Sequence, residues 1–124
     1  MKVSEQEIQD LKNFIISLNS KVDSTVVVEG KRDSEALKKI GVSRKILEFH
    51  RFRGLSKFVD SVSDSNLIIL LDGDRKGRYL TSKIVQQLER RTRIDLSFKR
   101  KLVSITKGKI RFIEDLSYYE SFLK

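Results

Sequence analysis

Two kinds of apolar pattern alternate along the chain. In the first, aliphatic residues run without interruption: Thr25 to Val28 reads TVVV, and Leu67 to Leu71 reads LIILL. Such runs predict short parallel strands buried on both faces. In the second, apolar residues recur every three or four positions, as they do along one side of a helix. Ile8, Leu11, Phe14, Ile15 and Leu18 follow a capping-box pattern at Ser4 and Glu7 and predict an amphipathic first helix. Ala36, Leu37 and Ile40 predict a short helix capped by Asp33 or Ser34 and stopped by Gly41. Leu55, Phe58, Val59 and Val62 predict another, and Leu80, Ile84 and Leu88 one that runs to about Arg91. Ile46 to His50 reads as a second strand and Leu102 to Thr106 as the last one. A terminal helix from about Glu114 carries Leu116, Tyr119 and Leu123.

Strands alternating with helices imply an α/β fold whose sheet is parallel or mostly parallel and covered on both faces. At 124 residues the chain is long enough for one domain with a real core and too short for two ordinary ones, so residues 1–124 are read as one unit. No internal repeat, low-complexity stretch or linker interrupts it.

Charge narrows the class of partner. With 26 Lys and Arg against 17 Asp and Glu, the formal charge is +9 and the sequence pI about 9.9, which favours an anionic partner, nucleic acid first among them. A solvated surface of mixed sign is the bland alternative for a chain with 35% charged residues. Absence of cysteine excludes disulfides and thiolate metal sites, and a single histidine, His50, excludes a cluster of His ligands. No run approaches a membrane span, and Met1 to Asp10 is acidic and polar, unlike a targeting segment. The expectation is a soluble, cytoplasmic protein with no membrane partner.

Both aliphatic runs break into carboxylate, glycine and basic residues: EGKRD from Glu29, and DGDRKG from Asp72. In an open α/β sheet the loops past the carboxyl ends of the strands form the ligand crevice, so Glu29, Asp72 and Asp74 are expected in one small space. Gly73 between the two aspartates permits a bend that aims both at one point. Clustered carboxylates repel unless a cation neutralises them. Magnesium suits them, since it takes oxygen ligands and commonly uses one or two carboxylates plus substrate phosphates; manganese is the substitute. Glu29 can then serve as general acid or base for an oxygen attacking or leaving phosphorus. Aspartate pairs after buried strands also occur in haloacid-dehalogenase-like phosphatases and nucleotide-sugar transferases, and strand-end carboxylates often only cap the next helix. The phosphatase reading wants a small polar residue where this chain has Arg75 and Lys76. A P-loop is ruled out because no GxxxxGK[ST] occurs, and GxGxxG is absent too.

EGKRD after TVVV and DGDRKG after LIILL resemble the two defining motifs of the Toprim domain. That domain is shared by type IA and type II topoisomerases, bacterial-type primases, overcoming-lysogenization-defect nucleases and ribonucleases that mature ribosomal RNA. The resemblance spans roughly residues 24–106, with 1–20 as a preceding helix and 107–124 as an extension. It implies a compact sandwich with a mainly parallel four-stranded sheet and helices on both faces. It also implies that Glu29 is the general acid/base, that Asp72 and Asp74 bind magnesium with Glu29 beside them, and that Gly30 and Gly77 let the loops turn tightly. Asp33 matches a recurrent acidic position whose expected job is helix capping. Two departures stand out. Type IA topoisomerases carry a glutamate where this chain has Arg78, and 124 residues leave no room for a DNA gate or template-handling domains. Tyr79, Tyr118 and Tyr119 are therefore read as packing or surface aromatics. The resemblance is nearest to small stand-alone Toprim proteins of archaea and bacteria and, among larger relatives, to the ribosomal-RNA-maturing ribonucleases and primases.

Basic residues gather in the expected post-strand loops: Lys31 and Arg32, then Arg51 and Arg53, then Arg75, Lys76 and Arg78, then Lys107 and Lys109. Together they would make a basic rim that grips phosphates around an acidic centre, giving salt-sensitive affinity with little sequence preference. Lys99 to Arg111, with six basic residues and no acidic one, reads as a solvated strand margin or a phosphate-contacting edge. His50 and Phe52 flank Arg51, where stacking on a base competes with a half-buried histidine and a core phenylalanine. The expected function is magnesium-dependent phosphoryl transfer on nucleic acid, of the nuclease type that cleaves RNA or DNA phosphodiesters. The alternative is a non-catalytic nucleic-acid-binding module, acting alone, as a homo-oligomer or with a partner protein.

Overall fold

A computed structural model of the chain describes residues 2–123. The chain opens with α1 (Glu5–Asn19), then β1 (Thr25–Val28), α2 (Lys31–Lys39), β2 (Ile46–Glu48), α3 (Leu55–Ser61), β3 (Asn66–Ile69), α4 (Arg75–Leu88), β4 (Arg93–Asp95) and α5 (Ser97–Ile105). Short 3-10 helices cover Phe49–Phe52 and Ile113–Phe122. The four strands form one wholly parallel sheet in the order β2-β1-β3-β4, so every strand points its carboxyl end to the same edge.

Period-two alternation sorts the strand side chains between two cores. Val26, Val28, Ile68 and Leu70 face α1, α2, α5 and the terminal 3-10 helix, where Leu11, Phe14, Leu37, Phe98, Leu102 and Tyr119 are buried. Val27, Leu67, Ile69 and Leu71 face α3 and α4, against Phe58, Leu80, Ile84 and Leu88. The uninterrupted aliphatic runs follow from this: both faces of β1 and β3 are covered, leaving no solvent side for polar residues. No described helix is long and apolar enough to cross a membrane.

Four local expectations need correction. Leu102 to Thr106 is helical, in α5 and its cap, and the last strand is Arg93–Asp95. The β-branched LVSIT run suggested extension, yet Phe98 and Leu102 are four apart and share one buried helical face. The true strand has only three residues and pairs through Asn66–Arg93, Leu67–Ile94 and Ile68–Asp95, so tertiary pairing alone makes it a strand. α2 starts at Lys31, before Asp33, with Gly30 as its cap; Asp33 reaches back from the first turn to accept the Gly30 N–H at 3.2 Å. β2 ends at Glu48, and the chain then tightens into the 3-10 helix. At α1, Ser4 caps the Glu7 N–H at 3.1 Å as expected, but the Glu7 carboxylate goes elsewhere, accepting from Lys109 Nζ at 2.8 Å and from the Tyr119 hydroxyl.

Candidate functional site

The carboxyl edge of the sheet gathers the acidic residues of both motifs. Glu29 follows β1 directly and is 7% exposed; its Oε1 is buried and has no hydrogen-bond partner. Its pKa is raised, first by burial and then by the charge of Asp72, with Lys76 pulling the other way and Asp74 and Asp33 adding to the rise. Asp33 is raised as well, by burial first and then by Asp72. Residues far apart in sequence therefore share one electrostatic neighbourhood, as the strand order requires.

Asp72 and Asp74 are each held by a backbone donor. Asp72 Oδ1 accepts the Ile113 N–H at 2.8 Å, which ties the second motif to the start of the terminal 3-10 helix. Asp74 caps α4, its Oδ1 accepting the Gly77 N–H at 2.8 Å. Gly73 does not take a left-handed conformation. The absence of a side chain there serves close approach instead: its N–H donates to the Arg111 carbonyl at 2.7 Å, and an added Cβ would lie 3.4 Å from that oxygen. Gly77 is the stricter case, because an added Cβ would lie 2.0 Å from the Asp72 carbonyl oxygen. At Gly30 the space belongs to the His50 ring, 3.0 Å from an added Cβ. His50 Nε2 stands 4.0 Å from Glu29 Oε2, and the histidine is exposed rather than half-buried. Phe52 packs edge-on against Phe58, with ring centroids 5.1 Å apart, as a core phenylalanine should.

Lys99 is the site residue that sequence reading did not single out. Located on the first turn of α5, just past β4, it donates from Nζ to the Leu71 carbonyl at 2.7 Å. Burial lowers its pKa against the opposing pull of Asp72, Asp74, Asp33 and Glu29. It is thus an internal counter-ion for the acidic cluster. The misplaced last strand concealed it, since Lys99 follows a strand only when β4 is recognised at Arg93–Asp95.

The basic rim is partly assembled. Arg75, Lys76 and Arg78 occupy the first turn of α4 and are exposed beside the acidic loop. Lys31 and Arg32 open α2, exposed, with Lys31 3.9 Å from Glu35 and Arg32 4.0 Å from Glu114. Arg51 is paired with Glu48 at 2.8 Å, and Arg53, exposed, ends the 3-10 helix in a left-handed conformation. Lys107 and Lys109 follow a helix rather than a strand, so the strand-end argument for placing them on the rim does not apply. Lys109 is bound to the buried Glu7 carboxylate, which Lys107 also influences. Tyr119 is fully buried against Glu7, whereas Tyr79 and Tyr118 lie at the surface, in keeping with packing and surface roles.

Among the described residues no three His or carboxylate side chains are already grouped to hold a metal ion. The donor set still suits an oxygen-preferring dication. Glu29 offers a buried oxygen without a partner, and Asp72 and Asp74 each commit one oxygen to a backbone N–H, leaving the other for an ion. Gathering them around one ion requires rotation of the partly exposed aspartates.

Fold and site together define a wholly parallel α/β protein with acidic residues at the carboxyl edge of its sheet. The chain belongs to the UPF0292 family. It is 36% identical over 113 residues to the UPF0292 protein of Thermococcus sibiricus, covering 90% of this chain and 83% of that one. With the UPF0292 protein of Archaeoglobus fulgidus it shares 33% identity over 120 residues, covering 91% and 94%. The solved structure of a protein from Aquifex aeolicus has the same fold, with a TM-score of 0.67 and 22% identity over 85% of this chain and 96% of that one. No protein-family model matches the chain.

Proposed function

We propose that this protein is a Toprim-like, magnesium-dependent phosphoryl-transfer enzyme that cleaves RNA or DNA. One observation carries the reading: a buried glutamate with an unpartnered oxygen and a raised pKa stands among the aspartates of a second motif, at the edge where α/β sheets bind ligands. A carboxyl group whose pKa is raised is better suited than an ordinary one to give and take a proton. A bound dication would supply charge neutralisation for the phosphate oxygens and lower the pKa of an attacking water. The protein's own residues do the rest. Glu29, protonated more readily than an ordinary glutamate, gives a proton to the leaving oxygen or takes one from the attacking one. Asp72 and Asp74 each keep one oxygen on a backbone N–H, of Ile113 and Gly77, and would turn the other toward the ion. Arg75, Lys76 and Arg78 hold flanking phosphates.

Lys99 supports a second reading, a nucleic-acid-binding module without turnover, because its ammonium already offsets the acidic cluster. The discriminating experiment incubates labelled structured RNA, single-stranded DNA and duplex DNA with magnesium or chelator, using the wild type and Glu29→Gln. Cleavage that requires both the metal and Glu29 supports the enzyme. Salt-sensitive binding without cleavage supports the module.

A further inference from the structure

Resting on the nucleic-acid reading above, we propose that the groove between α4 and α5 is a subsite for the base of one unpaired nucleotide, which makes single-stranded or locally unpaired nucleic acid the substrate class. The groove exists because β4 is short. Its last pair is Ile68 with Asp95, so on the β4 side the end of β3 and the residues after it have no strand beside them, although β1 still pairs with Ile69 on the other side. What remains is a cavity of about 550 Å³ floored by Ile69, Leu71, Val85, Leu96 and Val103. Its size falls within the range of about 300–1,000 Å³ usual for small-molecule sites.

The rim shows what the groove would hold. Arg78, Lys99 and Arg100 line it, and it shares Asp72 and Gly73 with the acidic centre. An aliphatic floor under a cationic rim fits a flat, apolar-faced group joined to a phosphate, which is the make-up of a nucleotide. With its phosphate at the Asp72 end, the base would lie along the floor. A base held inside a duplex cannot enter, because its faces are stacked and its pairing edge is occupied. Few polar groups face the floor: the Thr81 hydroxyl is already committed to the Gly77 carbonyl, leaving Ser82 near the base edge. Such a site tolerates any base, as other single-strand sites do. Arg78 thereby gains a role at the position where type IA topoisomerases carry a glutamate.

The test measures binding by fluorescence anisotropy with the full chain and chelator present. It compares a labelled single strand, the same strand with abasic sites at matched charge, and the corresponding duplex. Wild type is expected to bind the base-containing strand about tenfold more tightly than either of the others, at the lower part of the range for one base contact. Val103→Gln, at an exposed position, and Val85→Gln should each remove that ratio while leaving abasic-strand affinity unchanged, with thermal unfolding confirming that both variants fold. Equal binding of the abasic strand or the duplex by wild type, or an unchanged ratio in both variants, would overturn the subsite. A free mononucleotide that competes as well as the strand would also overturn it, in favour of a small-molecule pocket. Failure of the parent reading looks different. If no strand binds either with chelator or with Mg²⁺, both ideas are refuted, whereas binding that weakens when Arg75 and Lys76 are neutralised but ignores the base refutes the groove alone.

Discussion

Replacing Gly77 with alanine introduces a methyl group into occupied space. The new Cβ would lie 2.0 Å from the Asp72 carbonyl oxygen, 2.7 Å from the carbonyl carbon and 3.0 Å from the Asp72 nitrogen. An unstrained contact needs about 3.5 Å, so the shortest approach falls roughly 1.5 Å short. The obstacle is backbone on both sides: Gly77 is buried in the first turn of α4, and Asp72 is held by the Ile113 N–H. No side chain can swing away. Overpacking a core costs typically about 1–3 kcal/mol, and a backbone obstacle places this substitution near 3 kcal/mol. For a chain of this length that corresponds to a loss of about 10 °C in Tm. Gly73→Ala is the internal control, because its Cβ would meet the Arg111 carbonyl at 3.4 Å, so it should cost under about 1 kcal/mol. Urea unfolding of the three proteins, with unchanged m values, gives the comparison. If Gly77→Ala were within about 0.5 kcal/mol of wild type, or no worse than Gly73→Ala, the reasoning would be refuted.

Three further outcomes follow from the charges. Glu29→Gln should stabilise the fold by roughly 1 kcal/mol at neutral pH and remove the proposed cleavage. Because the folded pKa of Glu29 is raised, its penalty is absent at low pH, grows as pH rises through the ordinary glutamate value of 4.5, and is complete above the folded value. A stability difference that did not grow with pH would contradict this. Lys109→Met should cost about 3 kcal/mol in urea unfolding, since it strands the buried Glu7 carboxylate. Burial alone would raise Glu7, but the Lys109 and Tyr119 hydrogen bonds and the lysine charges outweigh it and leave it lowered. Its contribution is therefore present above pH 4.5 and lost as pH falls through the lower folded value, a limb that Lys109→Met should lack. Lys99→Met removes the internal counter-ion, so magnesium should raise Tm more in this variant than in wild type; equal shifts would argue against a shared site.

The fold was legible where burial left a strong pattern. TVVV and LIILL announced the two central strands, which are covered on both faces, and Leu80, Ile84 and Leu88 announced α4, whose inner face they form. What escaped was set by tertiary contact. Arg93–Asp95 has no strand pattern of its own and becomes a strand only beside β3, while the β-branched residues of α5 imitated one. That single misplacement carried into the site, putting Lys107 and Lys109 on the rim and leaving Lys99 out. The pairing of Glu7 with Lys109 and Tyr119 spans nearly the whole chain, and no local spacing signals it. That Glu29, Asp72 and Asp74 lie past the same sheet edge was readable because they follow strands, and strand ends in a parallel sheet share an edge.

The proposal that Asp72, Asp74 and Glu29 form a magnesium centre is tested most directly by calorimetric titration of Mg²⁺ into wild type and into the Asp72→Asn, Asp74→Asn double variant. Both should be folded at the titration temperature, since the substitutions keep shape and relieve repulsion around Glu29. Wild type should show saturable binding that the double variant loses. Equal heats and affinity in the two proteins, or no binding in either, would contradict the assignment.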